Sequence, residues 1–166
     1  MKKPLQFAFT VQKENNTIII KREFDAPLQQ VWRAWSTPGL LDKWWGPRPW
    51  KAETKSMDFS NGGRWHYSMN GPEGEKHWAY ADYIKIVPEK SIYARDAFSD
   101  ENGTVNTKMP QNFWEIEFSE TGSHTLLDML LTFDSPEDLE TNLTMGFREG
   151  FTQGLEQLDE LLAKQK

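Results

Sequence analysis

The chain has 166 residues, a formal net charge of −6 and no cysteine, which bounds it to one domain able to bury roughly 70% of its unfolded surface. The acidic balance argues against a nucleic-acid partner, because phosphate contacts need a basic face. Disulfide and thiol chemistry are excluded, a cytoplasmic setting is favoured, and no apolar run reaches the ~20 residues of a membrane span. The segment MKKPLQFAF is too short in apolar residues for a secretory signal.

Phe7, Phe9 and Val11 alternate with Ala8 and Thr10, a strand pattern, and Asn15-Asn16 tolerates the left-handed turn that follows. Residues 1–16 are expected to be an N-terminal extension or an extra edge strand. The β-branched run Thr17–Phe24 is the first long strand. Asp25-Ala26-Pro27 closes it, and proline suits the first turn of a helix, where its missing N–H is not needed. Leu28, Val31, Trp32 and Trp35 then share a helical face. Thr37-Pro38 starts a second short helix carrying Leu41, Trp44 and Trp45, and Gly46-Pro47 stops it. A helix pair this short and this rich in tryptophan must lie on something large and apolar.

The next strand runs over 50–59, and Asn61-Gly62-Gly63 gives a hairpin turn. Residues 64–69 have the clearest period of two: Trp65, Tyr67 and Met69 face one way, Arg64, His66 and Ser68 the other. Further strands are expected over 77–87, 91–98, 111–118 and 125–133, separated by turns. Ser135 caps a helix beginning at Pro136, which either continues or breaks near Thr141-Asn142. Leu143, Phe147, Phe151, Leu155, Leu158 and Leu162 form one apolar stripe. Gly146, Gly150 and Gly154 form a row beside it. Each interior glycine costs about 1 kcal/mol against alanine, so the row implies close approach to the sheet or room for a ligand.

Eight Trp, ten Phe and four Tyr exceed the needs of an ordinary core, and rings with polar edges are suited to lining a cavity. Acid–base and metal chemistry find little support. His66, His77 and His124 share no ligand spacing, no phosphate-binding glycine loop occurs, and no cofactor is expected. Arg95 and Asp96 are consecutive in one strand, so one of them faces inward as a charge needing a partner or a ligand, unless the pair lies in an ion pair near the sheet surface.

The segments REFDAP (22–27), VWRAWSTP (31–38), WWGP (44–47), MDFSNGGRW (57–65), GPEG (71–74), YIKIVPEKSI (83–92), TFDSPEDL (132–139) and MGFREGFTQGLEQLDELL (145–162) resemble the activator of heat-shock protein 90 ATPase homologue family. That family lies within the START-like (SRPBCC, or Bet v 1-like) superfamily. The resemblance implies an α+β helix-grip fold: a curved antiparallel sheet wrapped around a long C-terminal helix, with two short helices after the first long strand. It also implies an internal cavity of the kind that holds lipids, phenolics or polyketides in superfamily members. The expected lining is Trp35, Trp45, Trp65, Tyr67, Met69, Trp78, Tyr80, Arg95, Trp114, Met129, Phe147 and Phe151. Binding of a hydrophobic or aromatic small molecule is the first functional expectation. A co-chaperone-like role in stress response is the second, although the chain is read as lacking the separate N-terminal domain of eukaryotic activators. A cyclase or hydrolase with a perturbed carboxylate or histidine in the cavity is the third. A chaperone contact and a homodimer are left open.

Overall fold

The computed structural model describes residues 5–165, so the first four residues of the expected 1–16 extension lie outside the described part. Eight strands, β1 (Phe7–Gln12), β2 (Thr17–Phe24), β3 (Lys51–Met57), β4 (Arg64–Asn70), β5 (Lys76–Val87), β6 (Ser91–Ser99), β7 (Asn112–Thr121) and β8 (His124–Phe133), form one antiparallel sheet in the order β1-β2-β8-β7-β6-β5-β4-β3. The helices are α1 (Leu28–Ser36), α2 (Pro38–Trp44), α3 (Pro136–Thr144) and α4 (Phe147–Lys164). This is the helix-grip order. Short turns explain why strands consecutive in the chain pair antiparallel, since parallel neighbours would need long crossovers, and β2 and β8, far apart in sequence, pair antiparallel as well. The edge-strand reading of the N-terminus matches β1, which pairs with β2 alone.

Alternation assigns one face of the sheet to the helices. Ile18, Ile20 and Phe24 from β2 join Leu127, Met129, Leu131 and Phe133 from β8 in the buried core. On α4, Phe151, Leu155, Leu158 and Leu162 are buried against that core. Arg22 also points inward, where its guanidinium donates to Asp159 on α4 at 3.0 Å and lies over the rings of Phe7 and Phe24. A lone cation there would be costly, and the ion pair with its ring contacts offsets that cost.

The α1–α2 pair caps one end. Trp44 is fully buried and its indole donates to the Ala34 carbonyl at 3.0 Å. Buried Gln157 of α4 holds the turn after α2: its amide donates to the Trp44 and Gly46 carbonyls at 3.1 and 2.9 Å and accepts from the Arg48 N–H at 3.0 Å. Ser135 caps α3 by accepting from the Asp138 N–H. Thr37 stands at the α2 cap position, but its carbonyl rather than its hydroxyl receives the helix N–H groups of Leu40 and Leu41.

The final helix is not one unit. It breaks at Met145-Gly146, three residues beyond the expected point, where Gly146 takes φ +92°. Gly146 is therefore a left-handed hinge residue and not part of a helical row. Gly150 and Gly154 face the turn after α2 rather than the sheet. A Cβ on Gly150 would stand 3.4 Å from Pro47 Cγ, beside open cavity, whereas on Gly154 it would stand 3.4 Å from the Trp44 carbonyl oxygen. We therefore expect Gly154→Leu to lose about 1–3 kcal/mol by overpacking against fixed backbone, and Gly150→Leu to stay within about 1 kcal/mol of wild type. Thermal unfolding of both variants checks the order, and equal losses would contradict this geometry.

Candidate functional site

Between α4 and the half of the sheet built from β4–β7 lies a cavity of about 310 Å³, at the small end of the range that suits a small organic molecule. Its wall is mostly ring surface: Trp45, Tyr67, Phe98, Trp114, Phe147 and Phe151. Trp45 is the hub. Its ring packs edge-on against Trp35, Trp44, Trp65 and Phe151, and its indole N–H donates to the Tyr67 hydroxyl at 3.2 Å. Phe147 and Phe151 lie nearly parallel, 5.3 Å apart, and present their edges to Trp114. One turn of helix separates those two phenylalanines, which is why they stack on the same face.

Of the expected lining residues, the structure gathers Trp45, Tyr67, Met69, Trp114, Phe147 and Phe151 at the wall. Trp35 and Trp65 stand behind it: Trp35 contacts Trp44 and Trp45, and Trp65 stacks on Tyr67 at 4.1 Å. Met129 is buried in the core away from the lining. Tyr80 borders the cavity, but its ring lies under the Arg64 guanidinium, 3.7 Å away, on the convex face of the sheet. Trp78 is on that convex face too, against His66 and below the ammonium groups of Lys55 and Lys76.

Arg95 also points outward, donating to Asp134 at 2.6 Å. Its neighbour Asp96 is the inward member of the pair. The register explains it: Asp96 lies opposite Ala81 and Asn112, both on the concave face with Trp65 and Trp114. Sequence reasoning placed Arg95 in the cavity and left Asp96 out. The parity of Ile92, Ala94, Asp96 and Phe98 within β6 was the available signal.

Asp96 is the anomaly of the wall. Among the described residues no hydrogen bond or ion pair reaches its carboxylate, and no Lys, Arg or His borders the cavity. Burial, and secondarily the charge of Asp82, push its carboxyl up to about 8. Burial, then the Asp96 charge, holds the Tyr67 phenol well above the usual range, with the Trp45 N–H acting in the opposite sense. Asn112, opposite Asp96, accepts from the Trp114 indole at 2.8 Å, which fixes its amide in the wall. Asn142 of α3 also borders the cavity, and its buried amide nitrogen has no partner. The arrangement is an apolar, ring-lined space with one unpaired carboxyl and one unpaired amide donor. Among the described residues, no group of three or more His, Asp or Glu side chains could hold a metal ion, and no helix is long and apolar enough to cross a membrane.

A curved antiparallel sheet closed by two short helices and one long terminal helix, with the cavity between, is the START-like helix-grip architecture. Within it, residues 25–163 match the model of the family described as activator of Hsp90 ATPase homolog 1-like protein, and the chain belongs to that family. Protein Ms6760 from Mycobacterium smegmatis is similar at 32% identity, with 96% of this chain and 97% of that one covered and a TM-score of 0.87. A protein from Arthrobacter aurescens is similar at 29% identity over 95% and 91% of the two chains, with a TM-score of 0.89. Protein NE0264 from Nitrosomonas europaea is 28% identical over 91% and 96%, with a TM-score of 0.79. No curated protein matches the chain significantly.

Proposed function

We propose that this chain binds a hydrophobic or aromatic small molecule in the cavity between α4 and the sheet. The observation that carries the reading is the wall itself: about 310 Å³ bounded by Trp45, Tyr67, Trp114, Phe147 and Phe151. Offset and edge contacts from these rings would hold a flat or aliphatic ligand, and the few polar groups would set its orientation. Native mass spectrometry of freshly purified protein tests it, together with tryptophan fluorescence during titration with phenolics and fatty acids. Ala79 borders the cavity from β5, on the same face as Tyr67. Ala79→Phe should fill much of the space and weaken binding at least tenfold while the protein stays folded. A chain that co-purifies with nothing and responds to no probe would end the reading.

Turnover of an apolar substrate is a second reading, favoured by Asp96 alone. A carboxyl that keeps its proton to about 8 can act as a general acid near neutral pH. Hydrolysis of hydrophobic esters that disappears in Asp96→Asn would support it. Stimulation of a chaperone ATPase, which the family's description names, is the rival from another class. Among the described residues, the large exposed apolar side chains are Phe7 on β1, Ile84 on β5 and Met145 in the turn between α3 and α4, scattered along the chain, which supports small-molecule binding over a docking face. Under the rival reading, the purified chain would raise the ATPase rate of an Hsp90-type chaperone; under ours it would not.

A further inference from the structure

We infer that the ligand of this cavity is an organic cation, an apolar body bearing an amine or quaternary ammonium group that sits against the Asp96 carboxylate. The inference rests on the small-molecule reading above and narrows it to a chemical class.

Asp96 is half-buried in a ring-lined wall, where little water can stabilise its charge, so a compensating charge or several hydrogen-bond donors would favour its ionised form. Asp96 has neither from the protein, while the comparable inward charge at the other end of the sheet, Arg22, is paired with Asp159. Asp96 therefore stands in a place where the fold could have supplied a partner and did not. Its one close electrostatic neighbour of fixed sign, Asp82, is acidic and repels it further. Asp82 itself is held on the convex face by Nε and Nη2 of Arg64, whose Nη1 donates to the Gly103 carbonyl, so that guanidinium is committed elsewhere. The complement must come from outside the chain.

The rest of the wall selects for the same sign. Aromatic faces attract cations through their quadrupole, and a desolvated cage strengthens that attraction. Trp45, Trp114, Phe147 and Phe151 line the same cavity as the carboxyl. Fatty acids and other anions would meet like charge wherever Asp96 is ionised, and they would find no cationic side chain among the lining residues. A neutral aromatic would fit the rings but leave the carboxyl without a partner. A cationic group satisfies both features once the carboxyl is ionised.

The groups that face Asp96 and could confuse a titration are few. From β4 comes the Tyr67 phenol and from β5 the Tyr83 phenol, both pushed far above neutral first by burial and then by Asp96 itself. From β7 comes Asn112, which does not titrate. Between pH 6 and 9 Asp96 is the group whose charge changes at the wall.

The test uses four probes with one apolar body: phenylpropylamine, phenylpropyltrimethylammonium, phenylpropanol and phenylpropanoate, measured by calorimetry on the full chain. The two cations should bind at least tenfold tighter than the alcohol, and the carboxylate should bind weakest. Affinity for the quaternary cation, which has no proton of its own, should rise roughly tenfold per pH unit up to about 8 and then level, because binding requires the ionised carboxyl. In Asp96→Asn the cation preference and the pH dependence should both vanish while alcohol binding persists. Equal affinity for alcohol and cations in the wild type would overturn this proposal and leave the small-molecule reading standing. Absence of binding by all four, with Ala79→Phe indistinguishable from wild type, would overturn both.

Discussion

Replacing Trp65 by alanine is expected to remove about 3–5 kcal/mol of stability, the usual cost of truncating a buried large aromatic. Trp65 is only 4% exposed and stacks on Tyr67, with its second face set edge-on to Trp45. Its indole donates to the Thr54 hydroxyl at 3.0 Å, and that hydroxyl donates to Asp42 of α2 at 2.7 Å. One side chain thus ties two strands to the helix that closes the cavity. Urea unfolding should show a lower midpoint with an unchanged slope. Ligand affinity should fall as well, though indirectly: Trp65 lies behind the wall and acts by holding the Tyr67 ring in place. Trp65→Phe keeps most of the stacking and loses the hydrogen bond, so it should fall between alanine and wild type. A near-neutral alanine variant would mean that the stack carries little of the core.

What the sequence made legible follows from which physical signals are local. Period-two alternation gave the faces of Trp65, Tyr67 and Met69, and the four-residue stripe gave the buried face of α4 through Phe151, Leu155 and Leu162. Alternation gives a face but not a depth. Trp65 and Met129 are expected at the cavity because they point toward the helices, and Trp35 because it plugs one end; Trp35 and Trp65 stand behind the wall instead, and Met129 lies in the core away from it. In β5 the parity itself is broken. Ala79, Ala81 and Tyr83 face inward, and a bulge between Tyr83 and Lys85 then resets the pattern, leaving Ile84 exposed. The larger residues Trp78 and Tyr80, expected at the cavity, therefore stand on the convex face while small alanines take the concave one. The break at Gly146 was hidden because glycine in an otherwise helical pattern reads equally as a packing site and as a left-handed cap. Asp96 was legible in principle, but the larger and more familiar ligand-binding residue, Arg95, stood beside it.

Asp96→Asn is expected to stabilise the protein, and to do so more as pH rises. The sign follows from proton counting. In an unfolded chain the Asp96 carboxyl loses its proton near 3.8, whereas in the fold it holds it to about 8. Across that window the folded state binds more protons than the unfolded one, so stability falls with increasing pH and levels off above about 8. The full interval corresponds to a ceiling of about 6 kcal/mol, and water entering the open cavity should reduce it to about 2 kcal/mol. Asparagine keeps the shape without the charge and should flatten this limb of the profile. Glu23 acts at the opposite end. Its bond from the Gln6 N–H, then its bond with His124, holds its carboxyl below the ordinary 4.5, giving stability that is present above that value and lost only in stronger acid. The acid limb should therefore be the same in wild type and Asp96→Asn, and the curves should diverge only as pH rises. Thermal unfolding from about pH 2 to pH 9 measures both. Parallel curves would mean that the carboxyl is well solvated and its isolation at the wall has no energetic weight. Divergence would identify a residue that lowers stability where a conservative replacement would raise it, and such a residue is kept for what it binds rather than for how it packs.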